Sequence, residues 1–180
     1  MGEIDDGLAR AERTRPIPST VPARLRHLLR AAKGSTKILA SDLGVSQRTV
    51  QRWIKGAAVP RPVAAADIEA RVRASWQPRV RERVRRRAEA QGFVLHVQGR
   101  FGYSAAGGST DDPRERIITQ HLPGQVAREL YVARDAGAGE AEQQRILAGA
   151  LQEHYFRDRG RRAEGLSVRL DQLGWADFGV

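Results

Sequence analysis

Two groups of side chains in this sequence have the types and spacing to do chemistry. Ser104, Ser109 and Thr110, with Tyr103 just ahead of them, place hydroxyls beside the carboxylates of Asp111 and Asp112, in a polar, glycine-rich stretch from Ser104 to Glu115. That composition reads as an exposed loop, and Ser-Thr-Asp-Asp-Pro is also good turn chemistry, with side chains satisfying nearby backbone groups. The second group is Gln47, Arg48, Thr49, Gln51, Arg52 and Lys55. All are hydrogen-bonding types, suited to base edges and phosphates.

The second group needs a helix to present it, and the flanking residues supply one. Ser46 is a natural N-cap, and Val50 and Trp53 face back onto Leu39 and Leu43. Gly44 fits the left-handed end of a preceding helix, and Ala40 sits where two helices must approach closely. Lys37 to Gly56 therefore looks like a helix-turn-helix with Gln47 to Lys55 as recognition helix, the other reading being an αα-hairpin with a solvated face. A preceding helix should start near Ser19 to Pro22, carry Leu25, Leu28 and Leu29, and end at Lys33-Gly34. These elements make a DNA-binding domain over 21–62.

Residues 63–91 read as an arginine-rich helical segment broken at Trp76-Gln77-Pro78. From Arg79 onward only Glu82 and Glu89 oppose the arginines, so like charges at i,i+4 repel unless counterions relieve them. Arg79, Arg83, Arg86 and Arg87 are the candidates for tracking a DNA backbone beyond the first site. Residues 1–20 open with a short amphipathic possibility, Ile4, Leu8 and Ala11, and end where Pro16 and Pro18 deny a helix, so a flexible arm is expected.

From 92 to 180 the composition changes. Phe93, Leu95 and Val97 alternate with Val94, His96 and Gln98, as in a strand. Arg116 to Leu122 is a second strand, followed by helices over Gly124–Gly137 and Glu140–Phe156, and LSVRL is a last strand before a tail with Trp175 and Phe178. The fold class is thus a mainly α N-terminal half with a helix-turn-helix, and an α+β C-terminal half of about ββααβ. The strand ending in Leu-Pro, with its two following helices, also resembles the ribbon–helix–helix fold. Gln120 departs from that pattern at an inward position.

The formal charge is +10 over 180 residues, and all the basic residues except Lys33, Lys37 and Lys55 are arginines. Such a chain points first to nucleic acid. Absence of cysteine excludes disulfides and thiolate chemistry, and His27, His96, His121 and His154 lack ligand spacing, so no metal is expected. No apolar run reaches the ~20 residues of a membrane span and no secretory signal is evident, so the expected compartment is the cytoplasm.

Four collinear segments carry a family resemblance: Leu43 to Trp53, Trp76 to Arg83, Arg100 to Arg114 and His154 to Leu166. Together they resemble the terminal proteins of Streptomyces-type linear chromosomes and plasmids. The resemblance implies a protein that binds telomeric DNA with a telomere-associated partner protein, and whose threonine hydroxyl primes a DNA polymerase patching the recessed 5′ end. The attachment segment matches GGSTDD, which makes Thr110 the linkage residue, Ser109 the runner-up and Tyr103 third. Asp111 and Asp112 would be supporting residues. It further implies no enzyme activity, no intrinsic cofactor (Mg2+ coming with the polymerase), no membrane partner, and a place at replicon ends in the nucleoid. A homodimer stays open. The alternatives are a helix-turn-helix transcriptional regulator with a dimerising C-terminal domain, and a nickase or recombinase with Tyr103 as nucleophile.

Overall fold

The computed structural model describes residues 2–104, 113–157 and 165–180. The chain divides into two compact units, Arg15–Pro78 and a second made from Met1–Thr14 together with Arg79–Val180. Helices dominate the N-terminal half, and a three-stranded antiparallel sheet lies in the C-terminal part.

The first unit contains four helices, α2 (Val21–Ala31), α3 (Thr36–Asp42), α4 (Gln47–Ile54) and α5 (Pro62–Ser75). Each start has a local cause. Thr20, Ser35 and Ser46 accept backbone N–H bonds from Ala23, Ile38 and Thr49 at 3.4, 3.2 and 3.2 Å, and Pro62 opens α5. The turn between α3 and α4 pivots on Gly44 at φ 63°, where the Val45 N–H returns to the Ala40 carbonyl and the Gly44 N–H to that of Ser41. This is the paired closure that a left-handed glycine permits at a helix end. Leu25, Leu28, Leu39, Ala40, Val50, Trp53, Ile68 and Val72 form the core. The ends of the unit are clasped: the Arg15 N–H donates to Gln77 Oε1 (3.3 Å), and Trp76 Nε1 donates to the Arg15 carbonyl (3.1 Å).

The second unit comprises α1 (Glu3–Ala11), α6 (Pro78–Gln91), β1 (Phe93–Ser104), β2 (Arg114–Leu122), α7 (Gly124–Asp135), α8 (Glu140–Leu151) and β3 (Ser167–Gly179). The strand order is β2-β1-β3, with Phe93 opposite Leu122 on one side and Val94 opposite Gly179 on the other. Phe93, Leu95, Val97 and Phe101 face a helical layer holding Ile4, Leu8, Val126, Leu130, Tyr131, Leu147 and Leu151, while His96 and Arg100 face away.

Several expectations need correction. The segment 1–20 is not a flexible arm throughout: Ile4 and Leu8 are buried, so α1 has an apolar stripe to dock. Gly7 allows that docking, since a Cβ there would stand 2.2 Å from the Ala176 carbonyl oxygen. Glu12, 5% exposed, accepts from Arg134 at 2.6 and 3.2 Å, and Arg10 pairs with Asp177 at 2.8 Å. The segment 63–91 breaks where expected, at Trp76-Gln77-Pro78, but its two halves do not belong together. Left-handed Gln77 (φ 49°) ahead of Pro78 divides it, and α5 belongs to one unit and α6 to the other. The arginine charges also find partners: Arg71 with Asp67, Arg73 with Glu69, Arg86 with Glu82, and Arg85 with Glu89 and Asp135. The last strand runs on to Gly179 through the expected tail, Trp175 and Phe178 included. Finally, α8 stops at Leu151 and the chain continues as a π-helical turn, Gln152–Phe156. The ribbon–helix–helix pattern has a lone strand before its helices, whereas β2 here is the edge of a three-stranded sheet and pairs along its length with β1.

Candidate nucleic-acid interface

Helix α4 presents two faces of opposite character. Val50 and Trp53 are buried in the four-helix core, and Gln47, Arg48, Gln51, Arg52 and Lys55 are exposed. Two members of the group are not open to a ligand in the same way as the others. Gln47 Nε2 donates to Thr36 Oγ1 at 2.8 Å, which ties the start of α4 to α3. Thr49, half-buried, shares a 2.8 Å hydroxyl contact with Ser46, so its oxygen belongs to the N-cap. Arg48, Gln51, Arg52 and Lys55 remain as an outward row of three cations and one amide. No acidic residue lies within α4 to neutralise it.

On α6, Arg79, Arg83, Arg86 and Arg87 are all exposed. Arg86 is paired with Glu82 at 3.4 Å, and Arg87 Nε donates to Gln91 at 3.2 Å. These four lie in the α/β unit, whereas the α4 row lies in the four-helix unit.

The expected attachment residues Thr110 and Ser109, and the supporting Asp111 and Asp112, lie outside the described residues. Tyr103, the third hydroxyl candidate, is half-buried near the end of β1. Burial raises its pKa above the ordinary phenol value, with the Arg116 charge opposing. A phenol held that way is a poorer nucleophile than a free one.

Around Tyr103 lies a cleft that the sequence reading missed. It is about 430 Å³ and is lined by Tyr103, Arg116, Tyr155 and Phe156. The Arg116 guanidinium lies over the Tyr103 ring, 5.6 Å from its centroid. Phe156 meets Tyr103 and Tyr155 edge-on, at 5.2 and 4.9 Å between centroids. A signal was present in β2: Arg114 and Arg116 share the inward face with Ile118 and Leu122, opposite Phe101 and Gly99. Charged residues at inward positions mark where a sheet runs out from under its helices. Phe156 and Tyr155 reach the cleft from the π-helical turn, whose closing bond runs from the Arg157 N–H to the Gln152 carbonyl at 2.8 Å. Nothing local in the sequence announces that extra residue per turn.

Among the described residues, no group of three or more His, Asp or Glu is placed to hold a metal ion, and no helix is long and apolar enough to cross a membrane. No protein-family model, curated protein or solved structure matches the chain.

Proposed function

We propose that this chain is a terminal protein of a linear replicon, which binds telomeric DNA and primes end-patching synthesis with a threonine hydroxyl. On this reading α3 and α4 are a helix-turn-helix, with α4 as the recognition helix. The observation that carries DNA binding is the outward row Arg48, Gln51, Arg52 and Lys55, on a helix whose opposite side is locked in a core by Val50 and Trp53. The net charge of +10 supports it. Priming is supported by the four-segment resemblance, which selects Thr110.

The chemistry is nucleotidyl transfer. The Thr110 oxygen attacks the α-phosphorus of a deoxynucleoside triphosphate, forming a phosphodiester bond to the protein. The α–β phosphoanhydride breaks, pyrophosphate leaves, and the hydroxyl proton passes to solvent within the polymerase site. Mg2+ held by the polymerase stabilises the developing charge, so the chain is the acceptor and not the catalyst. Its partners are telomeric DNA, a telomere-associated protein and a DNA polymerase, and it works at replicon ends in the nucleoid.

The test is transfer of labelled deoxynucleotides to the purified protein in the presence of polymerase, partner and a telomere template. The expected result is a covalent label that survives denaturation and is lost in Thr110→Ala but not in Ser109→Ala. Loss in Ser109→Ala instead moves the attachment by one residue. No label under any condition, with salt-sensitive duplex binding intact, would leave a helix-turn-helix transcriptional regulator as the function.

A further inference from the structure

We propose that the cleft lined by Tyr103, Arg116, Tyr155 and Phe156 binds an unpaired nucleotide of a DNA single strand, with its base on the Tyr155 ring and its phosphate on the Arg116 guanidinium. The inference deepens the terminal-protein reading and rests on it for the source of the strand, since a recessed 5′ end leaves the opposite strand unpaired as template.

Three observations carry it. The first is size: about 430 Å³ lies within the range of small-ligand sites and admits one nucleotide. The second is the chemistry of the walls. Tyr155 is 40% exposed although it is a large aromatic, and Phe156, edge-on behind it, holds the ring in place. Arg116 is exposed, lies over Tyr103, and pairs with no carboxylate among the described residues. A fixed ring beside a guanidinium is the combination that binds a base face and its phosphate together. The third is how the site is built. Gln152, the first residue of the π-helical turn, accepts from the Val168 N–H at 2.8 Å, and Val168 is opposite Tyr103 in the sheet. The Gln152 side chain thereby joins strand and turn, the two walls of the cleft.

The occupant is single-stranded rather than duplex. In a duplex the base faces are stacked and only their edges reach the grooves, whereas an unpaired base offers its face to an aromatic ring. Duplex binding is left to α4, in the other unit.

The experiment measures, by fluorescence anisotropy at fixed salt and without polymerase, binding of the full-length protein to labelled oligodeoxythymidylate and to a duplex of equal length. Tyr155→Ala is expected to weaken single-strand binding about tenfold, in line with the loss of one stacked base. Tyr155→Trp should keep it, Arg116→Gln should lower it, and none of the three should change duplex binding. Arg52→Ala should show the reverse pattern. Single-strand affinity unchanged in both Tyr155→Ala and Arg116→Gln overturns the proposal. Free dTMP should compete poorly; competition as strong as that of the oligomer would give the site to a mononucleotide and overturn the strand assignment. Because polymerase is absent, this result is separate from the labelling test: failure to label removes the priming role and leaves the cleft's binding intact. Labelling without cleft-dependent binding does the opposite.

Discussion

The phenol of Tyr131 lies at the centre of the α/β unit, 1% exposed, with the Arg85 and Arg134 guanidinium groups 4.9 and 5.0 Å from its ring centroid. Its pKa is pushed up to about 12, first by burial and then by the charge of Glu12, against the opposing Arg134 and Arg85. The unfolded chain loses this proton near the ordinary phenol value of 10.0, while the folded chain keeps it. The group's contribution to stability is therefore complete below the unfolded value and is lost as pH rises through the folded one. A shift of this size corresponds to about 2–3 kcal/mol. Urea midpoints should fall between about pH 9 and about pH 12, and Tyr131→Phe, which keeps the ring, should flatten the fall. The comparison with Tyr131→Phe separates this group from every other one that titrates at high pH. Residues of this kind set how much of the site could be read in advance. The α4 row was legible because its polarity is written at helical spacing. The Glu12–Arg134 pair was not, since nothing links positions 122 apart before the sheet is assembled.

At the scale of elements, local signals were legible and distant pairings were not. Ser35 and Ser46 start helices, Gly44 turns one helix into the next, and the Phe93 to Val97 alternation gives β1, all through interactions within a few residues. The full length of β3 was hidden because its register is written in β1: Trp175 faces Gln98 and Phe178 faces Leu95. The π-helical turn was hidden for a similar reason, as its Gln152 side chain is held by the start of β3. Gly44 allows a direct test of the α3–α4 turn. Nothing lies within 4 Å of where a Cβ would stand, so Gly44→Ala meets no clash and bears only the left-handed backbone cost. Stability should fall by about 1–2 kcal/mol in chemical denaturation. Duplex affinity measured well below the melting temperature should be preserved. A much larger loss would mean that the turn is packed more tightly than its open surroundings imply.

For the molecule as a whole, α1 packs mainly on β3, and its far end is tied to α7 by a buried charge pair. Glu12 is buried and takes both Arg134 nitrogens, with an Arg81 nitrogen at 3.8 Å. Glu12→Gln leaves those cations without their counter-charge and should cost about 3 kcal/mol. The exposed Arg10–Asp177 pair should contribute under about 1 kcal/mol, so Arg10→Ala should barely move the melting temperature. Equal effects from the two substitutions would contradict the view that α1 is held by its buried end. The position of α1 also has a consequence in time. Arg10 and Asp177 are 167 positions apart, so at about 5–20 residues per second α1 leaves the ribosome roughly ten to thirty seconds before the strand it packs on exists. Residues 15–78, with a core made entirely from their own helices, can finish folding in that interval. During synthesis the four-helix unit is thus a completed body held between two parts of an unfinished one, and the Ile4–Leu8 stripe waits uncovered until β3 arrives.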